Sequence, residues 1–172
     1  LSAGSRRSRR VRWQTDRLDR FRKALADGTF EAAIAEVRAG AKRGHWIWFI
    51  FPQLAGLGSS PLSQRYGIRD AAEAADYASD PVLGARLIAV AVAAAEQLRR
   101  GVKLVDLMGG SLDALKVVSS MTLFEEISGR LDAVEHNESL LGLREACREI
   151  LEAAALEGYG RCAFTKSRLQ AG

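Results

Sequence analysis

Two short segments of the sequence carry most of the side chains that could do chemistry. The first, GHWIWFIFPQ at residues 44–53, places four aromatic side chains within six consecutive positions, with His45 in front and Gln53 behind. Polar groups at both ends of an aromatic wall suit a small-ligand pocket, because a ring can stack on the ligand while an imidazole and an amide fix its orientation. We therefore expect His45, Trp46, Trp48 and Gln53 to line a ligand site.

The same segment also suits a hydrophobic core. Phe49 and Phe51 offer nothing except packing, and each large ring can bury about 150–250 Å² of surface, so we predict that both belong to the core. For His45 a purely structural role stays open as the alternative. Every residue from 46 to 51 is apolar, so neither a strand-like nor a helix-like hydrophobic period can show which face of the segment is buried. The intrinsic propensities of these residues favour a strand. The neighbouring helices and Pro52 favour a short buried helix instead. We predict the helix.

The second segment, LKVVSSMTLF at residues 115–124, carries a polar stripe on an otherwise apolar helix. Lys116, Ser119 and Ser120 are spaced i, i+3 and i+4, which places them on one helix face. A cation beside two hydroxyl groups could receive an anion or a sugar-like hydroxyl group. The alternative is that Lys116 extends to solvent and the serines hydrogen-bond back to the preceding turn.

If the two segments meet in space, they form a site for a small ligand. Trp46 or Trp48 would stack on a planar or sugar-bearing group, while basic and hydroxyl groups would meet its anionic part. The candidate ligand-binding residues are Arg43, Trp46, Trp48, Gln53, Arg65, Tyr66, Ser119, Ser120 and Thr122. Histidine changes charge near neutral pH, so His45 is the candidate general base, with Lys116 as the second candidate catalytic residue. Hydrolysis of a glycosidic or similar bond would be the simplest reaction, and whether the protein is an enzyme stays open.

Other catalytic patterns are missing from the sequence. No paired carboxylates flank the aromatic segment, no Ser-His-Asp spacing occurs, and the glycine-bearing loops match no phosphate-binding fingerprint. We interpret Glu73, Asp106 and Asp113 as helix caps or surface charges. Cys147 and Cys162 have no metal-ligand spacing with the two histidines. We therefore expect no metal and no cofactor, and a reducing, cytoplasmic location.

Length and charge distribution predict one domain behind a basic arm. The chain has 172 residues, of which 48% are hydrophobic, enough for a single core. Its net charge of +4 comes from five arginines in the first twelve residues. We interpret residues 1–14 as a disordered arm that is either a solvated tail or a weak, non-specific contact with nucleic-acid phosphates. The longest apolar run, residues 87–95, is too short to span a membrane.

Capping residues divide the rest of the chain into helices. Thr15 or Asp16, Thr29, Ser60, Asp70, Ser111 and Asn137 are candidate N-caps, and glycines at 28, 40, 101 and 158 are candidate ends. The segment between Pro81 and Gly101 is predicted to be the longest helix, and it is apolar nearly all round, so we place it at the centre. We predict an all-α fold in which residues 15–172 form a single globular domain of six to eight helices around this helix.

Three blocks together resemble a known family. They are RAGAKRGHWIWFIFPQLAGLGSSPLSQRYGI, AADYASDPVLGARL and ALKVVSSMTLFEE, and in this order they resemble the small bacterial family catalogued as domain of unknown function 1810. The resemblance covers about residues 17–128 and implies an all-α single-domain fold with no established activity. The segment EGYGRCAFTKSRL keeps Thr165 and Leu169 but lacks the acidic residue that members have before the threonine, which weakens any role for this end of the chain.

A second likeness bears on the ligand. The layout is distantly similar to the NADAR group of helical domains that process ADP-ribose, which implies a nucleotide-derived ligand. The function expected from the sequence is thus a nucleotide-like or ADP-ribose-like binding site with hydrolysis as a candidate reaction. The alternative is a non-enzymatic module in which the aromatic segment is core and a helix face or the basic arm binds a protein or a nucleic acid.

Overall fold

Helices make up almost all of the regular structure in the computed structural model, which describes residues 17–171. The first, α1, is described over residues 17–24. Nine more follow: α2 (Thr29–Arg38), α3 (Ile47–Ile50), α4 (Pro61–Tyr66), α5 (Ala71–Ser79), α6 (Leu83–Arg99), α7 (Leu104–Met108), α8 (Ser111–Glu135), α9 (Glu138–Leu156) and α10 (Ala163–Gln170). The all-α prediction is confirmed. The helices outnumber the six to eight expected because α3, α4 and α7 are single turns or little more.

Most of the predicted caps lie where the sequence placed them. The Ser60 side chain accepts a hydrogen bond from the Ser63 N–H, and the Asp70 side chain accepts one from the Glu73 N–H. Asn137 caps α9 in the same way through Ser139. Two expectations were wrong: Thr29 and Ser111 are the first residues of α2 and α8, and the N-caps are the glycines that precede them. Each of these glycines adopts a positive φ angle, which glycine tolerates without steric cost.

The longest helix is α8, with 25 residues, and not the predicted central helix, α6, with 17. Helix α8 packs against α3, α5, α7, α9 and α10. It continues past Gly129 because this glycine is a packing position and not a helix end: a Cβ there would lie 3.1 Å from the Arg144 Nε atom on α9.

Helix α6 forms the second half of the core. It packs against α2, α5, α7 and α9, and its buried side chains include Leu83, Leu87 and Val90. Helices α5 and α9 contact both α6 and α8, so they join α6 and α8 into one hydrophobic core. The fold thus has two central helices, because α3 and α10 pack against α8 and α2 packs against α6.

The aromatic segment forms a short helix, as predicted, in α3. Phe51 is fully buried and Trp46 is 4% exposed, so both belong to the core. Phe49 is only partly buried and packs edge-on against Tyr66, with ring centroids 5.2 Å apart. Trp48 is also partly exposed. One face of this segment therefore supports the core and the other remains accessible.

Two sequence-based expectations concern the ends of the chain and membranes. The basic arm at residues 1–14 and the caps at Thr15 or Asp16 lie outside the described residues. Within residues 17–171, no single helix is long and apolar enough to cross a membrane. Helices α5 and α6 meet that criterion only when taken together, and they are bent by 86° relative to each other.

Candidate functional site

Glu36, near the end of α2, organises the loop that leads into the aromatic segment. Its Oε2 atom accepts hydrogen bonds from the backbone N–H groups of Arg43 (2.7 Å) and Gly44 (2.9 Å) and from the Trp46 indole Nε1 (2.8 Å). Burial alone would raise the pKa of Glu36, but the hydrogen bonds from Gly44, Arg43 and Trp46 hold this pKa below its usual value. Glu36 thereby fixes where the aromatic segment begins.

Gly44 is required at this turn by close packing. A Cβ atom on Gly44 would lie 2.7 Å from the Trp46 Cδ1 atom, a distance that side chains do not sustain. The glycine therefore lets the loop pass across the indole ring while Glu36 binds the ring nitrogen. The consequence is a Trp46 ring whose polar atom is satisfied inside the protein, as burial demands.

Asp113, in the first turn of α8, joins the two distinctive segments. Its Oδ2 atom lies 2.9 Å from the Lys42 Nζ, and its Oδ1 atom lies 2.9 Å from the Lys116 Nζ. Burial by itself would raise the pKa of Asp113, but the hydrogen bonds from Lys42 and Lys116 hold this pKa below its usual value. The carboxylate is therefore ionised at neutral pH and holds two ammonium groups close together.

Each lysine also lies over an indole ring. The Lys116 Nζ is 4.6 Å from the centre of the Trp48 ring, and the Lys42 Nζ is 5.3 Å from the centre of the Trp46 ring. Both distances are in the range of cation–π attraction. We call Lys42, Trp46, Trp48, Asp113 and Lys116 the lysine–indole cluster. Lys116 thus has two partners, and the alternative that it merely extends to solvent does not describe its position.

His45 and Arg43 lie on the loop next to the cluster, and both are exposed. The Arg43 backbone is held by Glu36, while no hydrogen bond or ion pair joins the His45 ring to any residue in the described part of the chain. From their positions in the sequence, His45, Trp48 and Lys116 are expected to line one site. The structure brings Trp48 and Lys116 into contact, and none of residues 17–171 orients the His45 ring through a hydrogen bond or an ion pair.

Gln53, Arg65 and Tyr66 have structural partners. The Gln53 backbone carbonyl accepts a hydrogen bond from the Ile68 N–H at 2.9 Å. Gln53 as a whole is 8% exposed. Tyr66 is 8% exposed and packs against Phe21 as well as Phe49. The exposed Arg65 guanidinium lies 5.4 Å from the centre of the Tyr66 ring. Tyr66 and Arg65 thus pack around α4, while Gln53 is held through its backbone.

The hydroxyl groups on α8 have different surroundings. The Thr122 hydroxyl donates to the Val118 carbonyl at 2.7 Å and accepts from the Cys162 N–H at 3.1 Å, so it ties the start of α10 to α8. Ser119 is 7% exposed, and Ser120 is fully buried. The Ser120 Oγ has no hydrogen-bond partner within the described residues. The back-bond to the preceding turn that was expected for the serines is made by Thr122, and within the described residues Ser120 makes none.

Three acidic residues have structural roles that their sequence positions did not reveal. Glu36 was not singled out, and Asp113 was interpreted as a cap or a surface charge although it holds Lys42 and Lys116. Glu73 is fully buried and accepts two hydrogen bonds from Arg20, at 2.8 and 2.9 Å. The available signal was the position of each acid on the apolar side of its helix, where a charge needs a partner.

Concavities lined by described residues lie elsewhere. One of about 250 Å³ lies between the start of α6 and the start of α9, and one of about 290 Å³ lies between α5 and α10. Thr122 lines a smaller one of about 70 Å³ between α8 and α10. In the part of the chain that the structure describes, no three His, Cys, Asp or Glu side chains gather in a way that could hold a metal ion.

Comparison with known proteins identifies relatives. A family model described as "Protein of unknown function (DUF1810)" matches residues 15–140. The crystal structure of the conserved hypothetical protein Rv1873 from Mycobacterium tuberculosis is similar to this chain, with 37% sequence identity and a TM-score of 0.69. The similarity covers 89% of this chain and 96% of that one. No functionally curated protein shows significant sequence similarity.

Proposed function

The chain belongs to the DUF1810 family, whose description assigns no activity, and we propose that its lysine–indole cluster binds a small anionic ligand that carries a planar group, such as a nucleotide or an ADP-ribose derivative. One observation carries the proposal: Asp113 holds Lys42 and Lys116 together beside a partly exposed indole ring. The two regions that supply these residues lie far apart in the sequence, and the ion pairs of Asp113 join them.

The charges of the cluster favour an anion. The two ammonium groups face the Asp113 carboxylate, and Lys42 also interacts with the Glu36 carboxylate, so the positive charge that remains for a ligand is that of Lys116. An ammonium group has three N–H donors, and Lys116 uses one of them on Asp113, so donors remain for the oxygen atoms of a ligand. The Lys116 side chain is 26% exposed and that of Lys42 is 10% exposed. Lys116 is therefore the cation that contacts the ligand, and the more buried Lys42 contributes its charge without touching the ligand.

Trp48 supplies the surface for a planar group. Its ring is partly exposed, whereas the Trp46 ring is buried and its nitrogen is bound by Glu36. Stacking of a base on an aromatic side chain contributes about 1–3 kcal/mol. Of the two tryptophans named as candidates, Trp48 is thus the one that suits stacking, and Trp46 supports it from the core.

Binding is better supported than catalysis. A general base needs a neighbouring group that orients it toward the substrate, and no described residue does this for His45. His45 is the candidate base for a hydrolytic reaction because it is the histidine next to the cluster. The rival function, an interaction module, draws on Leu112 and Leu115, which are 75% and 47% exposed on α8 beside Lys116.

To test the proposal, the protein is titrated with ADP-ribose, AMP, adenosine and inorganic phosphate. Binding is measured by calorimetry and by the shift in melting temperature. We expect ADP-ribose and AMP to bind more tightly than adenosine or phosphate alone, because only they offer both an anion and a planar group. Lys116→Met should weaken this binding at least about tenfold, the loss expected for one charge-assisted hydrogen bond. Lys23→Met, which removes an exposed lysine on α1, is the matched control and should bind like the wild type.

His45→Gln separates binding from reaction. If His45 acts only as a base, this variant keeps the affinity for ADP-ribose and loses any turnover detected by mass spectrometry. The proposal fails if none of the four compounds binds, or if Lys116→Met binds all of them as tightly as the wild type. Either result would leave the interaction module as the better description of this surface.

A further inference from the structure

The concavity between the start of α5 and the end of α10 has a volume of about 290 Å³ and shares no residue with the lysine–indole cluster. Its volume is near the lower end of the range of about 300–1,000 Å³ that is typical of ligand pockets. Its lining combines apolar side chains with two cations. The apolar residues are Leu54, Ala55, Ala71 and Leu169, and the cations are Arg69 and Arg168.

Backbone hydrogen bonds fix the wall that precedes α5. The Ala55 N–H donates to the Ile68 carbonyl at 2.8 Å, and the Ile68 N–H donates to the Gln53 carbonyl at 2.9 Å. The next N–H along the chain, that of Arg69, donates to the fully buried Glu73 carboxylate at 2.8 Å. The Arg69 side chain therefore begins from a backbone that the protein holds in place.

The opposite wall, at the end of α10, is also held by the rest of the protein. The Leu169 side chain is 5% exposed, and its carbonyl accepts a hydrogen bond from the Arg130 guanidinium on α8 at 3.0 Å. The Ala171 N–H donates to the Ser167 carbonyl at 3.2 Å. Both walls are thus formed without a ligand, and a preformed site reduces the entropic cost of binding.

Neither arginine of the concavity has a hydrogen-bonded carboxylate among residues 17–171. The Arg69 Nε lies 4.0 Å from a Glu73 oxygen, which is too far for a hydrogen bond, and Arg20 already binds both oxygens of that carboxylate. Arg168 lies 5.7 Å from the centre of the Phe164 ring and pairs with no acid. Most donors of both guanidinium groups are therefore available to a ligand.

The acid that lines the concavity, Asp70, does not neutralise both arginines. Its Oδ1 atom accepts the Glu73 N–H at 2.8 Å and so caps α5. Two guanidinium groups against one carboxylate leave one positive charge at this concavity. Guanidinium groups bind carboxylates through two parallel hydrogen bonds, so an anion that enters here would meet donors of suitable geometry.

We propose that this concavity binds a small organic carboxylate. Arg69 and Arg168 bind the carboxylate group, and the apolar part of the ligand packs on Leu54, Ala71 and Leu169. The apolar lining favours such a ligand over a free inorganic anion, because an inorganic anion has no apolar surface to remove from water. This inference does not depend on the ligand proposed for the lysine–indole cluster.

Benzoate, benzyl alcohol and inorganic phosphate are the probes for the test, and binding to the full chain is measured by calorimetry. Benzoate combines an anion with an apolar ring, whereas each of the other two offers only one of these properties. We expect benzoate to bind with a Kd of about 1 mM and the other two to bind at least about fivefold more weakly. Absence of benzoate binding, or phosphate binding as tight as that of benzoate, would overturn the proposal.

Substitution of the arginines tests where benzoate binds. Arg69→Met and Arg168→Met should each weaken benzoate binding about three- to tenfold, because each removes a charge-assisted hydrogen bond. Arg100→Met, which removes an exposed arginine after α6, is the matched control and should bind like the wild type. Lys116→Met should also bind benzoate normally, which separates this concavity from the lysine–indole cluster. Unchanged affinity in both Arg69→Met and Arg168→Met contradicts the proposed site.

Ala71→Leu tests the apolar part of the site without changing any charge. The larger side chain fills part of the concavity, so benzoate binding should weaken at least about fivefold, while circular dichroism and the melting temperature verify that the variant is folded. Wild-type affinity in folded Ala71→Leu would show that benzoate does not enter the concavity, and the proposal would be wrong.

Discussion

The Lys116 ammonium group lies 4.6 Å from the centre of the Trp48 ring, so a cation on the first half of α8 and an indole on α3 form a single surface. Asp113 holds the same ammonium group at 2.9 Å. Since a lysine side chain has several rotatable bonds, two partners are needed to keep it in one place. The contact therefore defines where a ligand would meet both a charge and an aromatic face.

Removing the carboxylate of this site should change the pH dependence of stability. The pKa of Asp113 is lowered in the folded protein, so the unfolded chain binds a proton more readily, and folding is stabilised above the ordinary aspartate pKa of about 4. This stability is lost as the pH falls from about 4 through the lowered folded pKa. Asp113→Asn should flatten urea-unfolding free energies over that acidic window. An unchanged slope would show that the ion pairs contribute nothing to folding.

Replacing the two phenylalanines of the aromatic segment should have unequal effects. Phe51→Ala should lower the free energy of unfolding by about 3–5 kcal/mol, because a fully buried ring leaves a cavity that the helices cannot close. Phe49→Ala should cost less, since its ring is only partly buried. Chemical denaturation of both variants provides the measurement. Equal losses would show that Phe49 supports the core as much as Phe51 does.

The ion pair between Arg20 and Glu73 should be important for stability. Glu73 is fully buried and also accepts the Arg69 N–H at 2.8 Å. Glu73→Ala therefore leaves this backbone donor without its acceptor and the mostly buried Arg20 guanidinium without a counter-charge, although its bond to the Gly67 carbonyl remains. We expect a loss of about 3–5 kcal/mol. Glu126→Ala removes an exposed partner of Arg130 and should change stability by no more than about 0.5 kcal/mol. Comparable losses in the two variants would contradict the role of burial.

Deleting residues 1–12 tests the predicted basic arm, which lies outside the described residues. An arginine-rich segment buries little apolar surface, so the melting temperature should stay unchanged. Any binding to nucleic acid should weaken steeply with salt and disappear in the truncated protein. Salt-insensitive binding by the truncated protein would instead assign nucleic-acid recognition to the helical domain.

Local patterns in the sequence were sufficient to predict the helical fold and several of its helix caps. Ser60, Asp70 and Asn137 cap helices where predicted, because capping depends on a side chain and a backbone group only two or three residues apart. The short helix in the aromatic segment and the burial of Phe51 were predicted for the same reason: composition within a few residues limits what the segment can do. Family membership was also recognisable from three contiguous blocks.

Tertiary structure alone decided which charges meet. Asp113 and Glu73 looked like caps or surface charges because nothing within one helical turn shows that Lys42 or Arg20 will pack against them. Tertiary structure also decided that the Trp46 ring is buried and the Trp48 ring partly exposed, since the burial of each ring depends on helices from other parts of the chain. The sequence determined the helices and their apolar faces, which are local properties. The pairing of those faces set the site, because ion pairs and ring contacts form between segments that only the fold brings together.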